Sequence, residues 1–486
     1  MHDTTRSHRL LDAAAWLLFG LAVLKMAVVV LARPVFGYAN SYDFVRQSAC
    51  MGLWQSVPGV HKYEGSYETT AASLLYDGET LPQVCLFSSD NLFAHLAATF
   101  HSVGDRVDWA WIAWPKLLLV ILPVALLLTR MSPALKFASA FAFLLVFGDP
   151  IYLGYVNTLY TDFSVVGAGS VLALAIASRI ERAPARDRLT STILVLSLAW
   201  LGMSKLQYAF LTALVAVLYA AWLVKGGHGR AAWIAVLAGV LAPVAYLSIN
   251  SALNNQLDTF RQTNRIDTVF GAVLPAAPDR TAALATLGLS QHCRELIGKT
   301  WYAPDGPRYR PCEGLNAVGY GDLLRLFLQQ PATFFRPLVE GLRQARPLYP
   351  TYLGNRQGLQ GFVDDPQRLA RRTALSSSLV RLPELLYLAV FPVSLAVGGM
   401  AGLWLVVRRH RLTVVSRGAL ALASLGGLYA GYALASSVFG DGYIEVQKHT
   451  SLYGVGLFLQ LAAGVAAVAA WAGRGKQDPA GADVRV

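Results

Sequence analysis

The chain has 486 residues, of which 55% are hydrophobic and 14% charged, against about a quarter charged in an ordinary soluble domain. That composition excludes a soluble globular protein, and the solid Leu/Ala/Val runs exclude a transmembrane barrel, which needs alternating stretches of about ten residues. In such a chain the net charge of +12 is an orientation signal, and no nucleic-acid partner is expected.

Ten apolar runs come close to the roughly 20 residues that cross a hydrocarbon core. They predict helices over residues 11–33, 109–129, 137–155, 163–179, 189–204, 208–224, 231–250, 384–407, 414–437 and 453–472. The expected fold is therefore an all-α polytopic membrane protein of about ten transmembrane helices. Connections after the even-numbered runs are short and basic: Arg130 and Lys136; Arg179, Arg182, Arg186 and Arg188; Lys225 and Arg230; Arg408, Arg409 and Arg411; then Arg474 and Lys476. Together with Arg6 and Arg9 they place both termini in the cytoplasm, and every odd-to-even connection outside.

The domain plan follows. Residues 1–33 hold the N-terminus and first helix, 34–108 a first external loop, 109–250 helices two to seven, and 251–383 a large external loop. Helices eight to ten fill 384–474, and 475–486 form a disordered cytoplasmic tail. The long second loop escapes the charge rule, so its arginines do not oppose this orientation. The first run is too long for a signal-peptide core and is expected to stay as an anchor. Lys25 within it either snorkels or meets an acidic partner in the bundle.

Cys50 and Cys85 fall in the first external loop, Cys293 and Cys312 in the second. One even pair per loop fits two local disulfides formed in an oxidising compartment; the alternative is four unpaired thiols. No Walker A loop, dinucleotide Gly-rich fingerprint or closely spaced Cys/His zinc pattern is present. Gly-Leu-Ser-Gln at 288–291 lacks the spacing of a serine-hydrolase elbow, and the two halves show no duplication of the kind secondary transporters carry.

Polar residues gather just outside the ends of the runs, on the external side. The first group is Asn40-Ser41-Tyr42-Asp43-Phe44-Val45-Arg46. A carboxylate at the membrane boundary is partly desolvated and more basic, which suits Asp43 to take a proton from a sugar hydroxyl; alternatively it caps the next helix or pairs with Arg46. The second group is Asp149, a turn residue before Pro150, then Tyr155, Asn157, Tyr160 and Asp162. Asp162 either supports Asp43 or a cation, or caps the fourth helix. Lys205 and Gln207 follow the fifth run; Asp441, Tyr443, Glu445, Lys448 and His449 follow the ninth.

Lysines on external turns run against the charge bias, so Lys205 and Lys448 point to an anionic ligand or to lipid headgroups. His449 is a proton carrier or a hydrogen-bonding neighbour. Arg261, Arg265, Arg336, Arg343 and Arg346 lie among aromatic residues in the second loop, a mixture that fits phosphates and sugar rings as well as plain solvated surface.

Taken in order, these islands resemble the GT-C superfamily of membrane glycosyltransferases. Asn40 to Arg46 is similar to the Asn-Asn-Gly-Asp-Phe-Tyr-Arg segment of bacterial cell-surface hexose transferases, with Ser41-Tyr42 replacing Asn-Gly. Tyr155 to Asp162 resembles their Tyr-x-Asn-Ser-x-Tyr-x-Glu segment, with aspartate in place of glutamate. Thr268-Val269-Phe270-Gly271, Leu287-Gly288-Leu289 and Asp441 to His449 resemble further stretches. The resemblance implies a GT-C-like fold in a bacterial inner membrane, a polyprenyl-phosphate-linked sugar as donor, and a glycan or glycolipid acceptor on the external face. Asp43 would be the general base of an inverting transfer. Asp162 would position the base or a divalent cation such as Mg or Mn, the one cofactor the resemblance admits. Lys205, Lys448 and Arg336 would face the leaving phosphate, with Asn40, Arg46, Tyr155, Asn157, Tyr160, Gln207 and His449 lining the substrates.

Rival readings are a transporter or flippase of a lipid-linked glycan, an O-antigen-type polymerase or ligase, and an envelope scaffold. Transport needs ionisable groups inside the membrane, and the runs are expected to be nearly free of them apart from Lys25.

Overall fold

A computed structural model describes residues 2–39, 43–55, 69–182, 187–254, 256–358, 378–379, 381–408 and 412–474. Helices occupy each of the ten predicted positions: eight are long and apolar enough to cross a membrane, and two, Pro133–Phe147 and Arg188–Gly202, are shorter but apolar. The protein is an all-α polytopic membrane protein. The predicted tail, 475–486, lies outside the described residues.

In chain order the structure begins with α1 (His2–Leu31) and α2 (Asp43–Ser48). A three-stranded antiparallel sheet follows, ordered β1 (Leu53–Gln55), β2 (Ser73–Tyr76) and β3 (Arg106–Asp108), with α3 (Asn91–Thr99) inserted before β3. Leu53 pairs with Tyr76, and Leu74 with Val107. Phe44, Leu53, Leu74, Phe93, Val107 and Trp109 form a separate core under this sheet, and Cys50–Cys85 closes it.

The first continuous bundle then runs through α4 (Ala110–Leu128), α5 (Pro133–Phe147), α6 (Pro150–Leu153), α7 (Asp162–Glu181), α8 (Arg188–Gly202), α9 (Leu206–Val224) and α10 (Gly229–Leu253). The third predicted helix, 137–155, is corrected here. It stops at Phe147, because Pro150 has no N–H to continue the ladder and Asp149 turns the chain by accepting a hydrogen bond from Ile151 N at 3.1 Å. Asp149 is thus the turn residue expected of it.

All twenty residues of α7 are buried. A helix apolar on every side belongs at the centre of a bundle, and its small residues let neighbours approach. It packs against α4, α5 and α8, and against two later helices.

The second long connection holds α11 (Leu257–Ile266), a π-helical turn (Asp267–Val273), a 3-10 turn (Leu274–Ala276), α12 (Arg280–Thr286), α13 (Tyr320–Gln329) and α14 (Ala332–Ala345). Ile266, Phe270, Leu284, Leu296 and Leu326 give it a core of its own, and Cys293–Cys312 bridges it. Both disulfides pair as expected. The chain closes with α15 (Glu384–Val407), α16 (Val414–Asp441), the short α17 (Val446–His449) and α18 (Ser451–Arg474). Helices α7 and α15 flank α16, which also packs along α18, where Gly456 meets the carbonyl of Gly426 so closely that an added Cβ would lie 2.3 Å from it.

Both long connections sit at one pole of the bundle. The first is tied to the ends of α8 and α10: Ser88 Oγ donates to Ser204 O at 2.6 Å, and Phe87 N to Asn250 Oδ1 at 2.8 Å. The second rests on the end of α16, where Phe334 and Phe439 stack 5.3 Å apart. Of the two outcomes expected for Lys25, an acidic partner is not seen among the described residues. The lysine donates to the carbonyl of Gly148, at the end of α5, at 2.8 Å. The helices are expected to be nearly free of other ionisable groups, and one exception is Lys116 of α4, which is fully buried.

Candidate functional site

The turn between α16 and α17 organises the loop pole. Gly442 has φ of +62°, and a Cβ there would lie 2.4 Å from the carbonyl oxygen of Asp267, so glycine alone lets this turn meet the π-helical segment. Glu445 follows at φ +51°, a left-handed conformation that costs a non-glycine residue about 1 kcal/mol or more. That turn puts its carboxylate on Lys448, in an ion pair, and 3.7 Å from His449 Nε2.

Lys448 is buried, with its ammonium 4.9 Å from the centroid of the Tyr160 ring, a cation–π contact. His449 Nε2 lies 3.4 Å from Asp441 Oδ2, while Nδ1 lies 3.0 Å from Gln207 Oε1. Burial holds the imidazole below its ordinary pKa, with Lys205 and Lys448 pushing the same way and Glu445 opposing. Both ring nitrogens face acceptors, and in its neutral form the imidazole can donate to only one of them. Gln207 also donates to Ser436 Oγ and to the His449 carbonyl, each at 3.0 Å.

The second acidic position joins this group. Asp162 is the first residue of α7, 1% exposed, and its Oδ1 accepts from Lys205 Nζ at 3.1 Å. Its Oδ2 is buried without a partner. Tyr155 packs 4.7 Å from Tyr38 and 6.5 Å from Tyr160, ring centre to ring centre. Burial raises its phenol pKa, Asp162 adds to the rise and Lys448 opposes it, which places all three in one neighbourhood. Tyr155, Tyr160, Asp162, Lys205, Gln207, Lys448 and His449, drawn from three separate stretches of chain, thus converge.

Arg46 reaches the edge of this cluster. Its guanidinium lies 4.2 Å from the Phe260 ring centroid in α11. The Tyr302 phenol, raised chiefly by burial, is pushed further by Asp441, Asp267 and Glu445 and drawn back by Arg46. The backbone of Asp43 opens α2, three residues before Arg46, but its side chain and all of Asn40 lie outside the described residues.

Two of the predicted substrate residues are engaged elsewhere. Asn157 is a strut: its Nδ2 donates to the Phe36 carbonyl at 2.8 Å, holding the chain that leaves α1. Arg336 is exposed and directed to the Ala276 carbonyl at 3.4 Å. The other loop arginines also have protein partners: Arg261 pairs with Asp258, Arg265 donates to Asn316 O, Arg343 pairs with Glu384, and Arg346 donates to Leu382 O.

Sequence reasoning missed a buried ion pair behind Asp162. Lys116 Nζ lies 2.7 Å from Asp90 Oδ2 and donates to Thr158 O at 2.8 Å, while Ser164 Oγ donates to Asp90 Oδ1 at 2.6 Å. Burial raises the Asp90 pKa against the pull of Lys116. The pair grips the chain on both sides of Tyr160 and Asp162. A lysine inside the run Trp-Pro-Lys-Leu-Leu-Leu was the signal available in the sequence.

Asp267 was missed as well. It is fully buried, with Oδ1 accepting from Trp301 N at 2.6 Å and Oδ2 unpartnered. Burial lifts its pKa to about 6, the Trp301 hydrogen bond opposing. Because the folded value lies above the unfolded ~3.9, this carboxyl favours the fold fully below about pH 4 and loses that contribution, about 3 kcal/mol, as pH rises through about 6. Asp267→Asn keeps the acceptor for Trp301 and has no proton to lose. Thermal unfolding across this range should show wild type losing stability relative to the variant as pH rises; parallel profiles would contradict the assignment.

Among the described residues no three His, Cys, Asp or Glu side chains group closely enough to hold a metal ion. At Asp162 Oδ1 the Lys205 ammonium takes the place a cation would need. Among the described residues, then, no divalent-cation site is formed, and no step is assigned to one. No curated protein and no solved structure matches this chain. A family model does, over residues 4–479, and the chain accordingly belongs to the family of the YfdI N-terminal transmembrane domain.

Proposed function

We propose that this protein is an integral-membrane glycosyltransferase of GT-C type, moving a sugar from a polyprenyl-phosphate donor to a cell-envelope glycan or glycolipid. The observation that carries the reading is the meeting of the Asp162–Lys205 and Lys448–Glu445 pairs beside Tyr160 at the loop pole. Two ammonium groups beside aromatic rings suit a phosphate attached to a sugar. The basic connections at the opposite pole support a cytoplasmic location for it and for both termini. The loop pole then faces the outside of a bacterial inner membrane, in keeping with two disulfides.

In this reaction the acceptor hydroxyl oxygen attacks the anomeric carbon from the face opposite the phosphate, giving inversion. Its proton passes to the Asp43 carboxylate. The bond from the anomeric carbon to the phosphate oxygen breaks, and the electron pair leaves with the polyprenyl phosphate, where Lys205 and Lys448 balance the charge. Asp162 orients Lys205. Each lysine already holds a carboxylate, so the donor phosphate enters as an additional partner.

The test is incubation of purified protein with a panel of polyprenyl-phosphate sugars and candidate lipid-linked glycans. Wild type is expected to form a glycosylated product or to hydrolyse one donor, and Asp43→Asn to insert and fold normally but lose transfer by about 10²-fold or more. Absence of product from every donor, or full activity in Asp43→Asn, would count against the reading.

A further inference from the structure

Two helices at the loop pole have apolar surface that the protein leaves uncovered. Along α3, Leu92, Leu96 and Phe100 at its end recur every four residues and are 56%, 47% and 66% exposed. The other face of α3 is buried against the protein, and His95 and Thr99 form its exposed polar edge. Along α13, Tyr320, Leu324 and Leu328 have the same spacing and are 81%, 59% and 75% exposed, while Leu323 and Leu326 face the loop core. Arg325 and Gln329 form the remaining polar side. A helix with this much apolar arc needs an apolar partner.

Both helices are pinned where membrane-spanning helices end. Phe100 stacks on Trp111, the second residue of α4, with ring centres 5.8 Å apart. Phe327 of α13 packs 5.1 Å from Phe439, in the last turn of α16. Helix α14 continues the attachment, Arg343 pairing at 2.7 Å with Glu384, the first residue of α15; the next residue, Leu385, is 79% exposed. The 19 residues of α4 span about 28 Å at 1.5 Å per residue, close to the hydrocarbon thickness of about 30 Å. Trp111 therefore stands at the boundary between hydrocarbon and headgroups, where tryptophan is enriched.

We infer that α3 and α13 are in-plane helices seated in the leaflet on the loop-pole side, with Leu92, Leu96, Phe100, Tyr320, Leu324 and Leu328 in the acyl-chain boundary. The occupant is lipid. The two helices belong to different loops and meet different spans, α3 packing on α4 and α13 reaching α16 through Phe327 and Phe439, yet both lie at the ends of those spans. A bilayer covers both at once and is continuous with the lipid-facing surface of α15, as interfacial amphipathic helices require.

The test is site-directed spin labelling of full-length protein in phosphatidylglycerol–phosphatidylethanolamine vesicles, without any enzymatic assay. All four native cysteines are in disulfides, so an introduced thiol labels alone. Leu96→Cys, Leu324→Cys and Leu328→Cys are compared with Glu313→Cys, an exposed position in the second loop. Collision with oxygen is expected to exceed collision with a water-soluble nickel chelate at 96, 324 and 328, and the order to reverse at 313. Three separate sites keep the result readable if one variant misfolds. Nickel-accessible labels at 96 and at either α13 position would overturn the inference. Dipolar broadening between labels of neighbouring molecules would overturn it too, assigning the stripes to a second copy of the chain. Either result leaves the proposed glycosyl transfer untouched.

Discussion

Lys205→Met is expected to lower sugar transfer by about 10²–10³ per folded molecule, the magnitude seen when one preorganised charge-stabilising group is removed, and to cost some stability by leaving buried Asp162 unpaired. Lys205 sits at the N-cap of α9, extended in backbone, and reaches across to α7, where its Nζ meets Asp162 Oδ1 at 3.1 Å. Its side chain is 17% exposed and that of Asp162 1% exposed, so the lysine is the member of the pair that a ligand can touch.

A double-mutant comparison separates its two roles. If Lys205 acts only by satisfying Asp162, Lys205→Met in an Asp162→Asn background changes nothing further. If the ammonium also meets the leaving phosphate, the loss persists in that background. Steady-state transfer rates for the four proteins give the answer, and a Lys205→Met enzyme indistinguishable from wild type would remove Lys205 from the mechanism.

The largest effect on stability is expected at Lys116. Lys116→Met leaves Asp90, 2% exposed, without its cation, and breaking a buried pair by removing one partner costs about 3–5 kcal/mol. The Thr158 carbonyl loses its donor in the same step. Combining Lys116→Met with Asp90→Leu removes both charges, and most of the lost stability should return, since an apolar replacement of a buried pair is often neutral. Denaturant unfolding in detergent measures both. A single variant as stable as wild type would show that the pair does not hold the segment from Thr158 to Ser164. The pair also bears on the transport reading. Lys116 lies in the second turn of α4 near the loop pole, and its partners, the Asp90 carboxylate and the Thr158 carbonyl, are fixed groups of the protein, which fits a strut better than a moving relay.

Hydropathy was enough to locate the helices, because a membrane demands about 20 apolar residues wherever the chain crosses. The disulfides followed from topology for the same reason: loops long enough to fold each contained two cysteines. The convergence of Asp162, Lys205, Lys448 and His449 was legible because the ends of spans on one side must share a surface. What failed was anything decided by tertiary partners. Asn157 reads as a substrate ligand until the Phe36 carbonyl is seen beside its amide. Lys116 vanishes into a hydrophobic window average, and its partner Asp90 lies in a loop 26 residues earlier. The end of α5 at Phe147 was obscured because the residues after Pro150 are as apolar as those before it, although they belong to α6 and the turn that follows. Asp267 offered no signal, since its burial comes from Trp301 and the Gly442 turn, far along the chain.

The pairing of each site lysine with a carboxylate has a broader implication for how a ligand would arrive. Lys205 is paired with Asp162 and Lys448 with Glu445, so the formal charges of these side chains cancel. Such a mouth projects little long-range field, and electrostatic steering through water contributes little to encounter. An amphiphile already confined to the bilayer has no need of it, because lateral diffusion brings it past the opening, and recognition is left to short-range fit.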